Sequence, residues 1–498
     1  MNRTLTHPVF WLMLASVGTL GLFFLGQHEP LLCPDSTSYL DFQWGSLKEA
    51  LSQIRTPAYP AFLAFCQWIT PAGGDALKSV PIAHSATLIL AAWSMWWGMM
   101  RAGYGREIAA WCAVALMLGR AGRHEIGTTI AADSLAVSLS IMCVACYLAT
   151  TSRRPGSTPW YGLALLTLAT YLVRPAYLFL IPLWPVLCLV HDRFLLRPES
   201  SWSDQWRRVS RYALLSVVPF LAYCGLRWAV VGHFGLVSFG GYNIVGIAGQ
   251  YLDDELVADL PEDLQALGKA IVKRRREYPG MQPPTDFLTM ELMFNPTVWQ
   301  CAVPAAKDVY DNDTPRINRD LGRLSFEILK RRPWQYARWL KSDTVHGLLN
   351  MMHLTVPDRG VALAMLLALL THFHALVKRS KPEGAISSEM PAQGFSSLEE
   401  WQTLFATTRQ EAADRLGHPR DTAQRHHQEI HLLFWTAIGF ASAKLMLVIL
   451  VEPASARYMT GAMSLFPAAV MVPVSRYFFR QWGQRSVSAS GVSCEAKS

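Results

Sequence analysis

The chain has 498 residues, 51% of them hydrophobic and 16% charged, with a formal net charge of +8. Soluble domains carry about a quarter charged residues, so this balance excludes an ordinary soluble domain and points to a membrane protein. The basic residues sit in short groups beside apolar runs, which is how cytoplasmic loops fix topology and not how a nucleic-acid surface is built. Nine cysteines, mostly inside apolar runs, make no disulfide framework. Cys143 and Cys146 share a C-x-x-C spacing within an apolar run, where packing is the expected role. Cys33, Cys66 and Cys301 fall outside the bilayer by this reading, where one pair can bridge.

A spanning helix needs about 20 mostly apolar residues. Runs of that kind occur at 8–26, 80–100, 107–119, 131–150, 159–173, 175–191, 211–231, 360–377, 431–451 and 457–475. No A-x-A-like cleavage site follows the first run, which makes it an uncleaved helix. The expected fold is an all-α polytopic membrane protein with about ten transmembrane helices (roughly 8–13). Tyr59 to Ile69 is apolar but too short to span, so it suits a helix at the interface.

Arg101 and Arg106, Arg153 and Arg154, the arginines from Arg193 to Arg211, the group at Lys378 to Lys381, and Arg476 and Arg480 all fall in alternate loops. By the positive-inside rule these loops and both termini are cytoplasmic, in a chain resident in the cytoplasmic membrane. The organisation that follows is an N-terminal membrane domain at 1–231, with a first outer loop at 27–79, then an extracytoplasmic segment at 232–358. A transmembrane helix at 359–377, a cytoplasmic insertion at 378–430, a transmembrane hairpin at 431–475 and a cytoplasmic tail at 476–498 complete it. The outer segment reads as mainly helical, notably at Asp320 to Leu329 and Trp334 to Leu349. Gly240-Gly241-Tyr242-Asn243 and the proline-rich 279–284 read as turns. In the insertion, a linker to about Ser397 precedes a polar helical stretch.

The remaining loops face outward, and they collect polar residues. Asp35 follows a proline just past the first run. A carboxylate there can take the proton of an acceptor hydroxyl or amine while a sugar is displaced at its anomeric carbon, and burial would raise its pKa toward a useful value. The competing role for Asp35, in Asp-Ser-Thr-Ser, is a helix cap. Arg55, Arg174 and Arg457 each lie at a run's end and suit a phosphate leaving group, because guanidinium stays charged and binds in a planar fork. For each one alone, a snorkelling anchor is the plainer role. Arg120, Arg123, His124 and Glu125 precede Asp133, which opens a run and is itself a natural cap. Glu452 and Arg457 flank Pro453 at a spacing that allows an ion pair, and Lys444 is the main charge inside a run. His427 and His431 are four apart on a predicted helix, but face the cytoplasm without a third ligand. Asp311-Asn312-Asp313 before Pro315 reads as a turn, so no metal site is expected.

Asp35-Ser36-Thr37-Ser38-Tyr39, Arg55-Thr56-Pro57-Ala58-Tyr59-Pro60, Ala132-Asp133-Ser134-Leu135 and Val173-Arg174-Pro175, in this order, resemble the polytopic glycosyltransferases of the GT-C class. The likeness is to bacterial relatives of the protein O-mannosyltransferases and of the lipid A aminoarabinose transferases, and extends loosely to 232–251 and 316–340. It implies interfacial helices in the first outer loop, a polyprenyl-phosphate-sugar donor, no cofactor, and a lipid, glycan or protein acceptor at the outer face. It implies Asp35 as the catalytic carboxylate, while the guanidinium chemistry of Arg55, Arg174 and Arg457 makes them the candidates for the donor phosphate. Tyr39, Tyr59, Arg123, His124, Glu125, Asp133, Lys444 and Glu452 are the further candidates for substrate contact. The pattern departs from many members in having its second acidic residue at Asp41, six positions on, and in the insertion at 378–430. The alternative function is a transporter or flippase of lipid-linked sugars, for which neither an internal repeat nor a line of mid-span charges is visible.

Overall fold

The computed structural model describes residues 8–25, 29–71, 74–119, 127–152, 156–197, 199–282, 284–311, 313–355 and 419–489. The described chain is helical, with one isolated parallel bridge between Leu31 and Thr129. Six of its helical stretches are long and apolar enough to cross a membrane: Ala76–Arg101, Ala132–Thr150, Pro175–Leu196, Trp202–Val231, Ile430–Ile449 and Ala456–Tyr477. This is a helical membrane protein. Ten spans are not reached among the described residues. The runs read at 107–119 and 159–173 form helices of 13 and 17 residues, and 360–377 lies outside the described chain.

The membrane part begins with α1 (Pro8–Leu25), then three short helices of the first loop, α2 (Ser36–Leu40), α3 (Leu47–Ser52) and α4 (Ala58–Ile69). Next come α5 (Ala76–Arg101), α6 (Arg106–Leu118), α7 (Ala132–Thr150), α8 (Ser157–Val173), α9 (Leu180–His191) and α10 (Trp202–Val231). α7 is the central helix. It packs along α5 on one side and α8 on the other, and nearly all its side chains are buried. Apolar residues all round a helix need apolar neighbours all round, and α7 has them. Cys143 and Cys146 are buried free thiols on it, while Cys33, Cys66 and Cys301 are also free, so no pair among these bridges.

The segment after α10 has its own hydrophobic core, centred on Val245, Leu267, Ile271, Leu321, Leu324 and Ile328. Its helices are α11 (Gly240–Ala248), α12 (Asp254–Ala258), α13 (Glu262–Glu277), α14 (Phe287–Pro296), α15 (Val303–Tyr310), α16 (Thr314–Arg331) and α17 (Pro333–Thr355). The glycines at 240–243 open α11 instead of forming the turn expected of them. The reason is contact: a Cβ on Gly241 would lie 1.9 Å from the Asn318 carbonyl oxygen, and the Gly241 N–H donates to Asn318 Oδ1 at 2.8 Å. Backbone meets backbone where α11 crosses α16, so Gly241→Ala should destabilise this segment by about 1–3 kcal/mol through overpacking. Thermal unfolding followed by tryptophan fluorescence, with the Trp299 ring tilted against Tyr242, reads this directly.

The chain closes with α18 (Pro419–Ile449), α19 (Ala456–Ala462) and α20 (Phe466–Ala489). The polar stretch before residue 430 and the run at 431–451 are thus one continuous helix. Asp311 takes a left-handed backbone and Asp313 caps α16 by accepting from the Arg316 N–H, which accounts for that acidic run locally. Among the described residues no three metal-binding side chains assemble, and the side chain of His427 lies outside them.

Candidate functional site

Backbone pairing brings the first loop to the head of α7. Leu31 N–H donates to Thr128 O at 3.0 Å, Ile130 N–H donates to Leu31 O at 2.8 Å, and Ser36 Oγ donates to Ile130 O at 2.7 Å. Asp35, at the N-terminus of α2, therefore lies beside Asp133 in the first turn of α7. Asp35 makes no capping hydrogen bond. Its carboxylate instead accepts from Arg55 Nη2 at 2.7 Å and from Arg457 Nη2 at 2.8 Å.

Arg457 is the link between two halves of the cluster. The same Nη2 lies 3.0 Å from Asp133 Oδ2, which also takes Arg174 Nη1 at 2.6 Å. Arg174 ends α8 with extended backbone, and Pro175 then starts a single tight turn, so the side chain projects from a helix break. Arg55 is held by Ser38 Oγ at 2.8 Å and lies over the rings of Tyr39 and Phe239, 4.7 and 5.4 Å from their centroids. Tyr39 packs edge-on against Tyr59, whose hydroxyl is 3.5 Å from His84 Nε2. Arg174 lies over Tyr458.

Glu452 and Arg457 do not pair with each other. Arg457 reaches the two aspartates, and Glu452, buried, accepts from the Tyr458 hydroxyl. Lys444 is buried at the membrane side of the cluster, its Nζ 3.2 Å from the Tyr177 hydroxyl. Gly461 makes room for it, since a Cβ there would meet Lys444 Nζ at 2.2 Å. Arg120, Arg123, His124 and Glu125 lie outside the described residues. Asp41, the more distant acid, is exposed at the end of α2.

The electrostatics correct one expectation. Burial pushes the Asp35 carboxyl up, but Arg55, Arg457 and Arg174 together outweigh it and hold it below the ordinary aspartate value. Asp35 is thus a carboxylate at neutral pH, and a weaker base than one shifted upward. Glu452 goes the other way, raised by burial and by Asp133 and Asp35 against the opposing Arg174 and Tyr458. Three guanidiniums face two aspartates, so the ionised core of the cluster keeps one positive charge over. The side chains of Asp35 and Arg457 are 31% and 39% exposed, against 17% and 10% for Asp133 and Arg174. One end of the cluster is therefore open to ligands, and the other is packed.

Three contributors carry no sequence signal that marked them out. Arg227, buried within α10, donates to Leu51 O, Gly235 O and Ser238 Oγ, tying the first loop to the start of the segment after α10. His84 Nδ1–H donates to Gly127 O, 3.0 Å away, fixing the approach to α7. The third is α17, which clamps the loop that carries Glu452: Tyr336 and Trp339 donate to Leu450 O and Ile449 O, Asn350 donates to Ala454 O, and Asp343 Oδ1 accepts from Ala454 N–H.

Asp343 has a measurable signature. Burial, with Glu291 and Glu452 nearby, raises its pKa to about 7 despite the Ala454 hydrogen bond, and its Oδ2 has no partner. The folded chain then binds this proton more tightly than the unfolded chain, whose aspartate titrates near 3.9. Its contribution to stability is present below about pH 4 and is lost as pH rises toward 7. Asp343→Asn keeps the acceptor and removes the titration. The variant should gain thermal midpoint over wild type at pH 8 relative to pH 5; equal differences at both would refute the assignment.

Searches of family models, of curated proteins and of solved structures each find no match to this chain.

Proposed function

We propose that this chain is a membrane glycosyltransferase that moves a sugar from a polyprenyl-phosphate donor to a lipid, glycan or protein acceptor at the outer face of the cytoplasmic membrane. The observation that carries the reading is Arg457 bridging Asp35 and Asp133, with Arg55 and Arg174 closing the network on either side. A lone snorkelling arginine would not face two carboxylates; a phosphate site next to a base requires cations and an anion side by side.

In this reading the donor's phosphodiester competes with the aspartates for the arginine forks, using the one unmatched positive charge. The acceptor oxygen or nitrogen attacks the anomeric carbon, whose bond to the phosphate oxygen breaks. The electron pair leaves with the polyprenyl phosphate, whose second negative charge falls among Arg55, Arg174 and Arg457. The acceptor's proton passes to Asp35. A single displacement of this kind inverts the anomeric centre, as in inverting hydrolases. The low pKa of Asp35 suits a late proton transfer, since the attacking group becomes acidic as its bond to carbon forms. Tyr39 and Tyr59 shape the floor beneath Arg55, while Lys444 and Glu452 lie deeper, toward the lipid-facing side of the donor phosphate.

The test is to reconstitute the chain in vesicles with a polyprenyl-phosphate sugar and membrane extract as acceptor. A glycosidic product of inverted configuration supports transfer. Movement of labelled lipid across the bilayer without product favours the flippase reading and overturns this one. Glycan and lipid profiling of a deletion strain then identifies the sugar.

A further inference from the structure

α7 joins two polar sites. Asp133 lies in its first turn and Thr150 ends it, a separation of about 25 Å at 1.5 Å per residue, close to the thickness of a bilayer's hydrocarbon core. Around the far end lies a cavity of about 150 Å³, lined among others by Tyr147, His191, Asp192, Arg197, Arg208 and Arg211. One water needs about 10–15 Å³ by this measure, so the cavity admits a group many times larger.

The lining is electropositive. Arg208 and Arg197 share the single carboxylate of Asp192. Arg211 lies over the Trp160 ring, 4.0 Å from its centroid, and has no carboxylate partner among the described residues. Three arginines against one aspartate leave two positive charges. His191 is fully buried, and its Nε2 has no hydrogen-bond partner. Its Nδ1 lies 2.7 Å from the Tyr147 hydroxyl. With Tyr147 donating to Nδ1, Nε2 carries the hydrogen and is a buried donor with nothing to donate to. Such a group loses its hydration without compensation unless a ligand oxygen or water meets it.

We propose that this cavity binds a phosphate group, as a second anion site at the opposite end of α7 from the Asp35 cluster. Arg211 and Arg197 supply the forks, and His191 Nε2–H supplies the buried donor. The site stands whether or not the transferase reading does. The phosphate can belong to an anionic lipid or to a soluble molecule. Phe194, Trp202, Trp206 and Tyr161, exposed on the helical elements that line the cavity, fit a membrane interface, where lipid phosphates lie.

The experiment uses the full chain purified in phosphate-free buffer. One arm adds phosphatidic acid in mixed micelles, against phosphatidylcholine micelles; the other adds inorganic phosphate, against chloride at matched ionic strength to remove screening. A saturable rise of the thermal midpoint in either arm, weakened about tenfold or more by Arg211→Gln, is the expected result. A rise with phosphatidic acid assigns a lipid source, and a rise with inorganic phosphate alone assigns a soluble one. Arg197→Gln, at the cavity's exposed rim, gives the same reading if Arg211→Gln shifts the unliganded midpoint. No saturable rise with either probe, or equal rises in wild type and both variants, overturns the proposal.

Discussion

Asp35→Asn is expected to lower sugar transfer by about 10²–10⁴-fold, the range for loss of a positioned general base. The amide keeps the shape and can still accept from Arg55, which holds Asp35 at 2.7 Å. It cannot take a proton from the acceptor. Donor binding should not weaken, because removing this charge frees Arg457, now 2.8 Å from Asp35, for the phosphate. The loss should therefore appear in kcat, with KM for the donor unchanged or lower. Because three arginines hold the Asp35 carboxyl below the ordinary aspartate range, it stays ionised from pH 5 to 8 and should give no acidic limb in that window. Single-turnover transfer by purified wild type and variant measures all three, and equal rates would remove Asp35 as the base.

Arg457→Lys should reduce kcat/KM for the donor by about 1–3 kcal/mol, or roughly 5–150-fold. A guanidinium places one nitrogen between Asp35 and Asp133 and still has donors for a phosphate. A lysine ammonium is a point charge that cannot hold two carboxylates and present a fork together. Arg174→Lys should fall in the same range, since it also loses its place over the Tyr458 ring. The control is Arg101→Lys in the last turn of α5, exposed and away from the cluster, where either side chain can snorkel. Donor titrations on the three variants separate the two roles. If Arg457→Lys and Arg174→Lys behave like Arg101→Lys, these arginines serve the fold and not the donor.

The membrane class was legible because a bilayer imposes a length and a composition on any helix that crosses it, and both are written along the chain. Hence α5, α7 and the short α4 were found close to both ends, and α10 and α18 close to their C-terminal ends. Asp35, Arg55, Asp133, Arg174 and Arg457 were also legible as candidates, since a charge at a span's end stands out against apolar neighbours. Their partners were not. Whether Asp35 caps α2 or pairs with arginines depends on a two-residue backbone bridge from Leu31 to Thr129, which no local pattern encodes. The direction of its pKa depended on how many cations reached it, and Arg457 comes from more than four hundred residues away in sequence.

The sequence misread Gly240 to Asn243 as a turn, because glycine marks both a bend and a close crossing, and only the neighbour, here Asn318, decides between them. Arg227 and Asp343 looked like ordinary residues of a helix and a polar segment. Their burial, and the carbonyls and amides they hold, exist only after α17 has closed over the loop at 450–454 and the first loop has met α10. Periodicity and hydropathy are properties of neighbours in the chain, so the sequence determined the helices and the residues able to carry charge. Ion pairing and desolvation are properties of neighbours in space, so the tertiary structure alone decided which of those charges meet.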